Sequence, residues 1–347
     1  MSEEEAYGKF NSSRDEFGAA ARSDLSNGDT DTCIYALKQH PDVIQKLFST
    51  RREDVGVSTR SFGRGDRLST LARDAVWYPF ALGRVGGADV LHCPTYRGPL
   101  RSKLPLVVTV HDLAVFRHPE AFNRWTRTYS PRLVPRVLAG ARRVIAVSEF
   151  TRRELIELIG VPDERIRVVP NAVEEQFTRD GPTADGEYVL AVGTLEPRKN
   201  LQRLVEAARR ADVELRVVGA RGWGEVEVGG NGVRWLGEVT DTELARLYRG
   251  ALCVAYPSLY EGFGIPVLEA MACGVPVVTT RGTAMEEVAD GAAVLVDARD
   301  AAEIAAGIEQ AAADRDRLVA RGLERARAFR WDAVAEATVR VYREAAE

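Results

Sequence analysis

Two glutamates separated by seven residues, Glu261 and Glu269, lie in the stretch 251–280, which reads ALCVAYPSLYEGFGIPVLEAMACGVPVVTT. This pattern predicts a strand, a glycine-bearing loop, a helix and a second strand. The free N–H groups and positive dipole end at the start of such a helix attract an anion such as phosphate. A carboxylate would repel a bare phosphate, but it accepts hydrogen bonds from sugar hydroxyls. The glutamates therefore indicate a nucleotide sugar as ligand, with two solvated surface acids as the alternative.

Two adjacent cations, Arg198 and Lys199, lie in the segment GTLEPRKN, residues 193–200, between an apolar strand and a helix. Positive side chains at the start of a helix oppose its dipole. This local penalty indicates a functional role, because two positive charges at this edge of the sheet would neutralise a diphosphate as it leaves. A basic first helical turn without a function is the alternative.

One histidine, His111, follows the apolar run LPLVVTV at 104–110 and precedes Asp112. Residues at the carboxyl ends of parallel strands point into the ligand crevice of an α/β sheet. We therefore expect His111 to lie where chemistry takes place. A histidine with a purely structural role is the alternative.

Predicted strands and helices alternate along the chain, and they must position the candidate site residues. This alternation predicts an α/β fold with parallel sheets covered on both faces. A turn-rich segment at 170–186 predicts a boundary between an N-terminal domain, residues 1–172, and a C-terminal domain, residues 173–330. Within the first domain, residues 1–30 are expected to be disordered or degenerate. Residues 331–347 are predicted to form a last helix. The strands are predicted at 88–92, 104–110, 144–147, 167–169, 188–192, 214–218, 233–236, 251–256, 275–280 and 293–296. The helices are predicted at 33–47, 68–82, 201–210 and 243–249, after Ser148, and from 301 onward.

The composition narrows the class of protein. The 347 residues are 45% hydrophobic and 28% charged, which is typical of a globular chain with two cores. A net charge of −4 implies no general attraction to nucleic acid. Four scattered cysteines without CxxC spacing predict reduced thiols instead of disulfides or zinc ligands. Without a long apolar run or a signal peptide, we expect a cytoplasmic protein whose membrane contact is peripheral, at the inner membrane face.

The segment 116–143 contains seven arginines and one acid. Pro131 and Pro135 are expected to interrupt it. Apolar side chains recur in it at every fourth position: Trp125, Tyr129, Leu133 and Val137. One interpretation is contact with anionic lipid or a charged acceptor. The other is a solvated basic face packed on its domain through the aromatic stripe, and the periodicity alone leaves both open.

Several stretches, in this order, resemble the family-four retaining glycosyltransferases over about residues 65–347: VVTVHDLAVFRHPE, AVSEFTRREL, VVPNAV, VGTLEPRKN, WLGEVTDTEL and YEGFGIPVLEAMACGVPVV. The resemblance implies the GT-B fold, in which two Rossmann-like domains face each other across the donor site and the last helix crosses back to the N-terminal domain. It implies transfer of a hexose, of mannose or glucose type, from a GDP or UDP sugar to a hydroxyl of a saccharide or lipid-linked acceptor. The configuration would be retained, without a metal or other cofactor, and the LEPRKN form favours GDP-mannose.

The resemblance also implies roles for the residues. Lys199 and Arg198 would contact the donor diphosphate, beside Gly193 and Thr194. Glu269 would bind the ribose, and Leu236 would lie by the base. Glu261, with the amides of Gly262, Phe263 and Gly264, would hold the transferred sugar. His111 would approach that sugar from the N-terminal domain.

Two features depart from the family pattern. Thr194 stands where relatives commonly carry arginine, and we expect Arg198 to supply that charge. The glycine-rich loop expected near the N-terminus has its best counterpart at 27–33, where acids replace glycine and arginine. A protein that keeps the fold and binds a nucleotide or a partner without turnover therefore stays open as an alternative.

Two further patterns are incomplete. A nicotinamide-dependent oxidoreductase needs G-x-G-x-x-G after its first strand, whereas Gly262 and Gly264 come late in the chain and are followed by Val267 in the third position. Residues 29–31 and 314–316 spell D-x-D, a metal motif of the other major glycosyltransferase fold. Neither copy follows an apolar strand, so we expect no metal site there.

Overall fold

The computed structural model describes residues 78–80, 82–84, 89–122, 124–222 and 229–347. The predictions for residues 1–30, for the loop at 27–33 and for a helix at 33–47 lie outside the described residues. Most of the helix predicted at 68–82 lies outside them as well.

Four short parallel strands form the first sheet, in the spatial order β1-β2-β3-β4. Successive side chains of a strand point to opposite faces, so alternate residues enter different cores. Val108 and Val110 pack in one core, and Val107 packs with Ile145 in the other. The strands are β1 Leu91–Cys93, β2 Leu106–Val110, β3 Arg143–Ala146 and β4 Ile166–Val168.

Six parallel strands form the second sheet, in the order β10-β9-β8-β5-β6-β7. The order reverses between β5 and β8, so the loops after these two strands diverge to opposite faces and leave a crevice between them. Ligands of open α/β sheets bind at such a switch point. The strands are β5 Tyr188–Val192, β6 Glu214–Val218, β7 Val233–Gly237, β8 Cys253–Tyr256, β9 Val277–Thr280 and β10 Val294–Val296.

Helices cover both sheets, as the alternating pattern predicts. Helix α3 continues through a π-helical turn, Leu155–Ile159, and ends at Gly160, whose φ of 76° suits a residue without Cβ. The helices are α1 Ala114–Arg117, α2 Arg124–Gly140, α3 Glu149–Glu154, α4 Leu201–Arg210, α5 Asp241–Gly250, α6 Ile265–Ala272, α7 Ala284–Ala289, α8 Ala301–Ala313, α9 Arg315–Ala326 and α10 Trp331–Ala346.

Helix α2 runs through Pro131 and Pro135, so the prediction that these prolines interrupt the segment is wrong. A proline removes one backbone hydrogen bond and crowds the carbonyl one turn earlier. The Arg132 guanidinium donates a hydrogen bond to the carbonyl oxygen of Thr128, four residues earlier, at 2.7 Å. Burial of Leu133 against the sheet helps to hold the remaining turns in place.

The apolar stripe of α2 packs on its own domain. Leu133 and Val137 are buried in the core beside β2, and Tyr129 packs at the edge of the same core. Trp125 stays 40% exposed. The solvent side carries four exposed arginines: Arg124, Arg127, Arg132 and Arg136. The packed-stripe interpretation is therefore confirmed for Leu133 and Val137, while contact of the arginines with lipid or acceptor stays a prediction.

The last helix, α10, lies on the first sheet although it follows the second sheet in the chain. Val334 and Val341 enter the core that contains Val107 and Ile145. The Tyr342 hydroxyl lies 2.6 Å from Nδ1 of His92 on β1. The chain therefore crosses between the two domains twice, which ties the C-terminal domain to the N-terminal domain through a packed helix.

The two domains also contact each other beside the crevice. The hydroxyls of Ser148 and Thr151, at the start of α3, donate to the carbonyl oxygen of Gly262 at 2.6 and 3.0 Å. The Glu287 carboxylate on α7 accepts hydrogen bonds from the backbone amides of Glu149 and Phe150 at 2.7 and 2.8 Å. A negative charge from one domain thereby caps the positive end of a helix in the other.

Replacing Glu287 with alanine removes both of these charge-assisted hydrogen bonds. We expect E287A to lower the free energy of unfolding by about 1 kcal/mol, as the loss of a helix cap does. Urea denaturation followed by circular dichroism measures this change. The matched control is E303A, which removes an exposed glutamate whose partner Arg281 belongs to the same domain. Equal effects of the two variants would contradict a stabilising contact between the domains.

Candidate functional site

The loops that follow β5 and β8 meet at the switch point of the second sheet. After β5, Pro197–Lys199 form one 3-10 turn, and Asn200 adopts a left-handed conformation at φ 59°. The Asn200 side-chain amide donates to the carbonyl oxygens of Pro257 and Ala298 at 3.1 and 2.6 Å. This buried amide fixes the loop that carries the two cations against the loops after β8 and β10.

A network of ion pairs occupies the meeting point of these loops. The Lys199 ammonium lies 2.7 Å from Oε1 of Glu261, and Arg198 donates to Oε2 of the same carboxylate at 2.7 Å. Arg198 also pairs with Glu196 at 2.7 Å. The Tyr256 hydroxyl lies 2.6 Å from the ammonium and 3.0 Å from Oε1 of Glu261. Two cations and two carboxylates thus balance in formal charge.

The network is almost inaccessible to solvent. The side chain of Lys199 is 2% exposed and that of Glu261 is 6% exposed. Burial alone would raise the pKa of Glu261, but the charges of Arg198 and Lys199 outweigh it and hold that pKa at about 2. Burial lowers the pKa of Lys199 and raises that of Tyr256 well above its ordinary value. Glu261 therefore stays negatively charged although it is buried, and it compensates the positive charges of Arg198 and Lys199.

Sequence reasoning missed Tyr256 and Glu196 as members of this network. Tyr256 ends strand β8, and side chains at carboxyl strand ends point into the crevice. The same rule that selected His111 would have selected Tyr256. Glu196 lies two residues before Arg198, and its buried carboxylate is compensated by the ion pair with that arginine.

A close approach between the domains requires a glycine at position 262, in the loop after β8. A Cβ on Gly262 would lie 1.7 Å from the backbone oxygen of His111 and 2.8 Å from Cβ of Asp112. The Nε2 atom of His111 lies 2.9 Å from the carbonyl oxygen of Pro94, which can only accept, so Nε2 carries the proton. Burial lowers the pKa of His111, which favours the neutral ring. The structure therefore brings His111 and Gly262 together across the domain boundary.

A cleft of about 480 Å³ lies beside the ion-pair network. It is lined at the ends of β5 and β6 by Gly193 and Gly219, and at the start of α6 by Ile265 and Glu269. The Tyr248 hydroxyl donates to Oε2 of Glu269 at 2.8 Å, which orients this buried carboxylate. The cleft has the mostly apolar lining with a few polar groups that is typical of a small-molecule site.

The remaining predicted site residues occupy different surroundings. Thr194 is buried, and Gly264 directly precedes α6 with a φ of 107°. Leu236 packs against the core of the C-terminal domain, next to the cleft residues Glu238 and Val239 in sequence. The Phe263 ring packs edge-on against Phe329 in the same core, so its side chain serves the fold and only its backbone can face a ligand.

Within the part of the chain that the structure describes, no group of three or more His, Cys, Asp or Glu side chains could hold a metal ion. None of the helices found there combines the length and the apolar character needed to cross a membrane. The three described cysteines, Cys93, Cys253 and Cys273, are buried and unpaired, as predicted.

Residues 173–328 match the family described as "Glycosyl transferases group 1", and residues 41–177 match "Glycosyltransferase Family 4". The chain is 34% identical to the O-antigen chain mannosyltransferase B of Escherichia coli over 282 residues, which are 73% of this chain and 74% of that protein. This chain belongs to the family 4 glycosyltransferases. It is also 33% identical to a D-inositol 3-phosphate glycosyltransferase of Geodermatophilus obscurus, over 71% of this chain and 63% of that protein.

A solved structure shares the architecture of this glycosyltransferase. The Anabaena protein HepE, in complex with UDP and glucose, superposes with a TM-score of 0.65 at 20% identity. The match covers 82% of this chain and 85% of HepE. The predicted GT-B fold, with two parallel-sheet α/β domains, is therefore confirmed.

The buried ion pairs of this glycosyltransferase predict a pH-dependent stability. Because the pKa of Glu261 is about 2 in the folded protein against an ordinary value of 4.5, its carboxylate stabilises the fold above pH 4.5, and this contribution is lost as the pH falls from 4.5 to about 2. We expect E261Q to lose about 3 kcal/mol of unfolding free energy at pH 7, since both cations keep their burial and lose their partner. Denaturation across pH 2–7 measures both effects.

The matched control for this measurement is E206Q, because Glu206 pairs with Arg210 on an exposed helical surface. Such a surface pair contributes roughly 0–1 kcal/mol. The account of the buried network is wrong if E261Q and E206Q lose similar amounts, or if E261Q keeps the acid sensitivity of the wild type between pH 4.5 and 2.

Proposed function

We propose that this glycosyltransferase moves a hexose of mannose or glucose type from a nucleoside diphosphate sugar to a hydroxyl group of a saccharide or lipid-linked acceptor, with retention of configuration. The observation that carries the proposal is the buried pairing of Arg198 and Lys199 with Glu261, directly beside the cleft at the switch point of the second sheet. The mannosyltransferase similar to this chain supports a mannosyl donor, for which GDP-mannose is the first choice.

The cleft and the ion-pair network would bind different parts of the donor. The cleft would take the nucleoside, with the Glu269 carboxylate available to accept from the ribose hydroxyls and Leu236 near the base. The diphosphate would then lie by Gly193, where a Cβ would come within 3.2–3.6 Å of the side-chain carbons of Lys199. A residue without a Cβ at this position lets the Lys199 side chain pass close to the backbone.

The diphosphate would replace Glu261 as the partner of the two cations. Before binding, the Glu261 carboxylate cancels part of their charge and avoids the cost of a buried, uncompensated cation. When a diphosphate arrives, its oxygens can accept from Arg198 and Lys199. The Glu261 carboxylate is then free to accept hydrogen bonds from hydroxyls of the transferred hexose. This exchange of partners links donor binding to orientation of the sugar.

The transfer step needs little covalent chemistry from the protein. The bond from the anomeric carbon to the diphosphate oxygen breaks, and the bond to the acceptor oxygen forms on the same face of the sugar. The proton of the acceptor hydroxyl passes to the departing diphosphate oxygen. Arg198 and Lys199 stabilise the charge that grows on the diphosphate, which is the role that a metal ion fills in other enzymes. His111 would contact the sugar from the N-terminal domain.

Removal of the Lys199 ammonium tests this function. We expect K199A to lower kcat by about 100- to 1,000-fold, because one preorganised charge on the leaving group is lost. Turnover is measured over a panel of GDP and UDP hexoses with broad acceptor screening, and K103A, at an exposed lysine, is the control. Near-normal turnover of K199A would overturn the assignment.

Titration with GDP and UDP separates this proposal from the protein that binds without turnover. The loop at 27–33 that raised this alternative lies outside the described residues. Binding of either nucleotide together with turnover of its sugar supports the enzyme. Binding without turnover of any donor in the panel favours the non-catalytic alternative.

A further inference from the structure

The side chain of Tyr260, the residue before Glu261, reaches from the C-terminal domain into the N-terminal domain and is buried there. Its hydroxyl accepts a hydrogen bond from the backbone amide of Leu113 at 3.1 Å. The same hydroxyl lies 3.4 Å from Oε2 of Glu154 on α3, to which it can donate. Leu113 lies two residues after His111, so Tyr260 contacts the segment that carries the N-terminal residue expected at the sugar.

Side chains of the N-terminal domain hold the Tyr260 ring in place. The rings of His118 and Phe150 both pack edge-on against it, each with its centroid 5.6 Å away. Glu154 is itself buried, and the Arg117 guanidinium pairs with it at 2.7 Å. A tyrosine ring packed by two other rings and bonded through its hydroxyl is held in one orientation.

The backbone of the same segment is bound to Arg198 in the donor site. The Leu259 amide donates to the carbonyl oxygen of Arg198 at 2.9 Å. The Arg198 guanidinium donates to the carbonyl oxygen of Tyr260 at 2.9 Å and to the Glu261 carboxylate at 2.7 Å. Tyr260 therefore links the cation proposed to bind the diphosphate directly to the segment that follows His111.

The hydroxyl of Tyr260 is the part of the side chain that specifies this arrangement. A phenylalanine could make the same ring contacts, but it would leave the buried amide of Leu113 without this acceptor, and a buried unsatisfied amide is costly. The alternative is a structural role in which Tyr260 only fills the domain boundary. The hydroxyls of Ser148 and Thr151 already bind the backbone of this loop at Gly262, so the loop is attached to the N-terminal domain without Tyr260.

We propose that Tyr260 is a positioning residue for sugar transfer, which holds Arg198 and Glu261 in a fixed arrangement with His111 across the domain boundary. The inference rests on the proposed function and adds a residue that does not itself contact the donor. A small misplacement of reacting groups slows a reaction strongly even when its cause lies away from the chemistry. The nucleoside would bind within the C-terminal domain, so its affinity should not depend on this contact.

The variant Y260F tests the proposal, because it removes the hydroxyl alone. We expect kcat to fall about tenfold while the dissociation constants of GDP and UDP stay unchanged. Y260L also removes the ring contacts with His118 and Phe150, and we expect its kcat to fall about 100-fold. The matched control is Y188F, whose buried hydroxyl donates to the carbonyl oxygen of Leu247 at 2.7 Å within the C-terminal domain. Y188F should lose a similar amount of thermal stability and keep the wild-type kcat.

NMR gives a readout that needs no turnover. Addition of GDP or UDP to the wild type should shift the amide resonance of Leu113, because the nucleotide perturbs Arg198 and Tyr260 transmits the change. The shift should be much smaller in Y260F and should persist in Y188F.

Each outcome bears on the inference. Equal kcat values for Y260F and Y188F would overturn it. Nucleotide affinity that falls as much as kcat in Y260F would indicate a general structural role and overturn it as well. If the wild type binds nucleotide but turns over no donor, the proposed function fails, and the Leu113 resonance alone then supports or overturns the link through Tyr260. A wild type that neither binds nucleotide nor turns over any donor would contradict the proposed function and, with it, the inference.

Discussion

The site depends on the pairing of one buried carboxylate with two buried cations. Removing Arg198 and Lys199 from water costs several kcal/mol unless a negative group lies within hydrogen-bond distance. Glu261 provides this negative group from the loop after the neighbouring strand β8, at 2.7 Å from both cations. The loop after β5 can therefore hold its charges in a closed, water-poor site before a ligand arrives. In such surroundings each charge acts more strongly on a substrate than it would in water.

The same loop that supplies Glu261 also joins the domains. Its next residue, Gly262, accepts hydrogen bonds from Ser148 and Thr151 and packs directly on the backbone of His111. The position of the carboxylate is thus set by contacts from both domains. A rearrangement of Glu261 on donor binding would therefore be transmitted to His111.

Much of the fold and of the site could be predicted from the sequence. The buried strands could be predicted because β-branched runs such as LVVTV are typical of buried parallel strands. Lys199 and His111 were selected because residues at the carboxyl ends of parallel strands face the ligand crevice. The network itself could not be predicted. The two ion pairs of Glu261 join it to Arg198 and Lys199, which lie 63 and 62 positions away, and in sequence Glu261 and Lys199 both read as groups facing a ligand. That they face each other follows only from the adjacency of β5 and β8. The course of α2 through two prolines was missed for a similar reason, because tertiary burial of Leu133 outweighs a local penalty.

The most direct test of the central claim is a crystal structure of the complex with GDP or UDP. The account predicts that phosphate oxygens lie within about 3.2 Å of the Lys199 ammonium and the Arg198 guanidinium, the ordinary hydrogen-bond range. It also predicts that the Glu261 carboxylate has moved away from Lys199 toward the place of the transferred sugar. A nucleotide bound with both Glu261 ion pairs intact and no phosphate contact to either cation would contradict it.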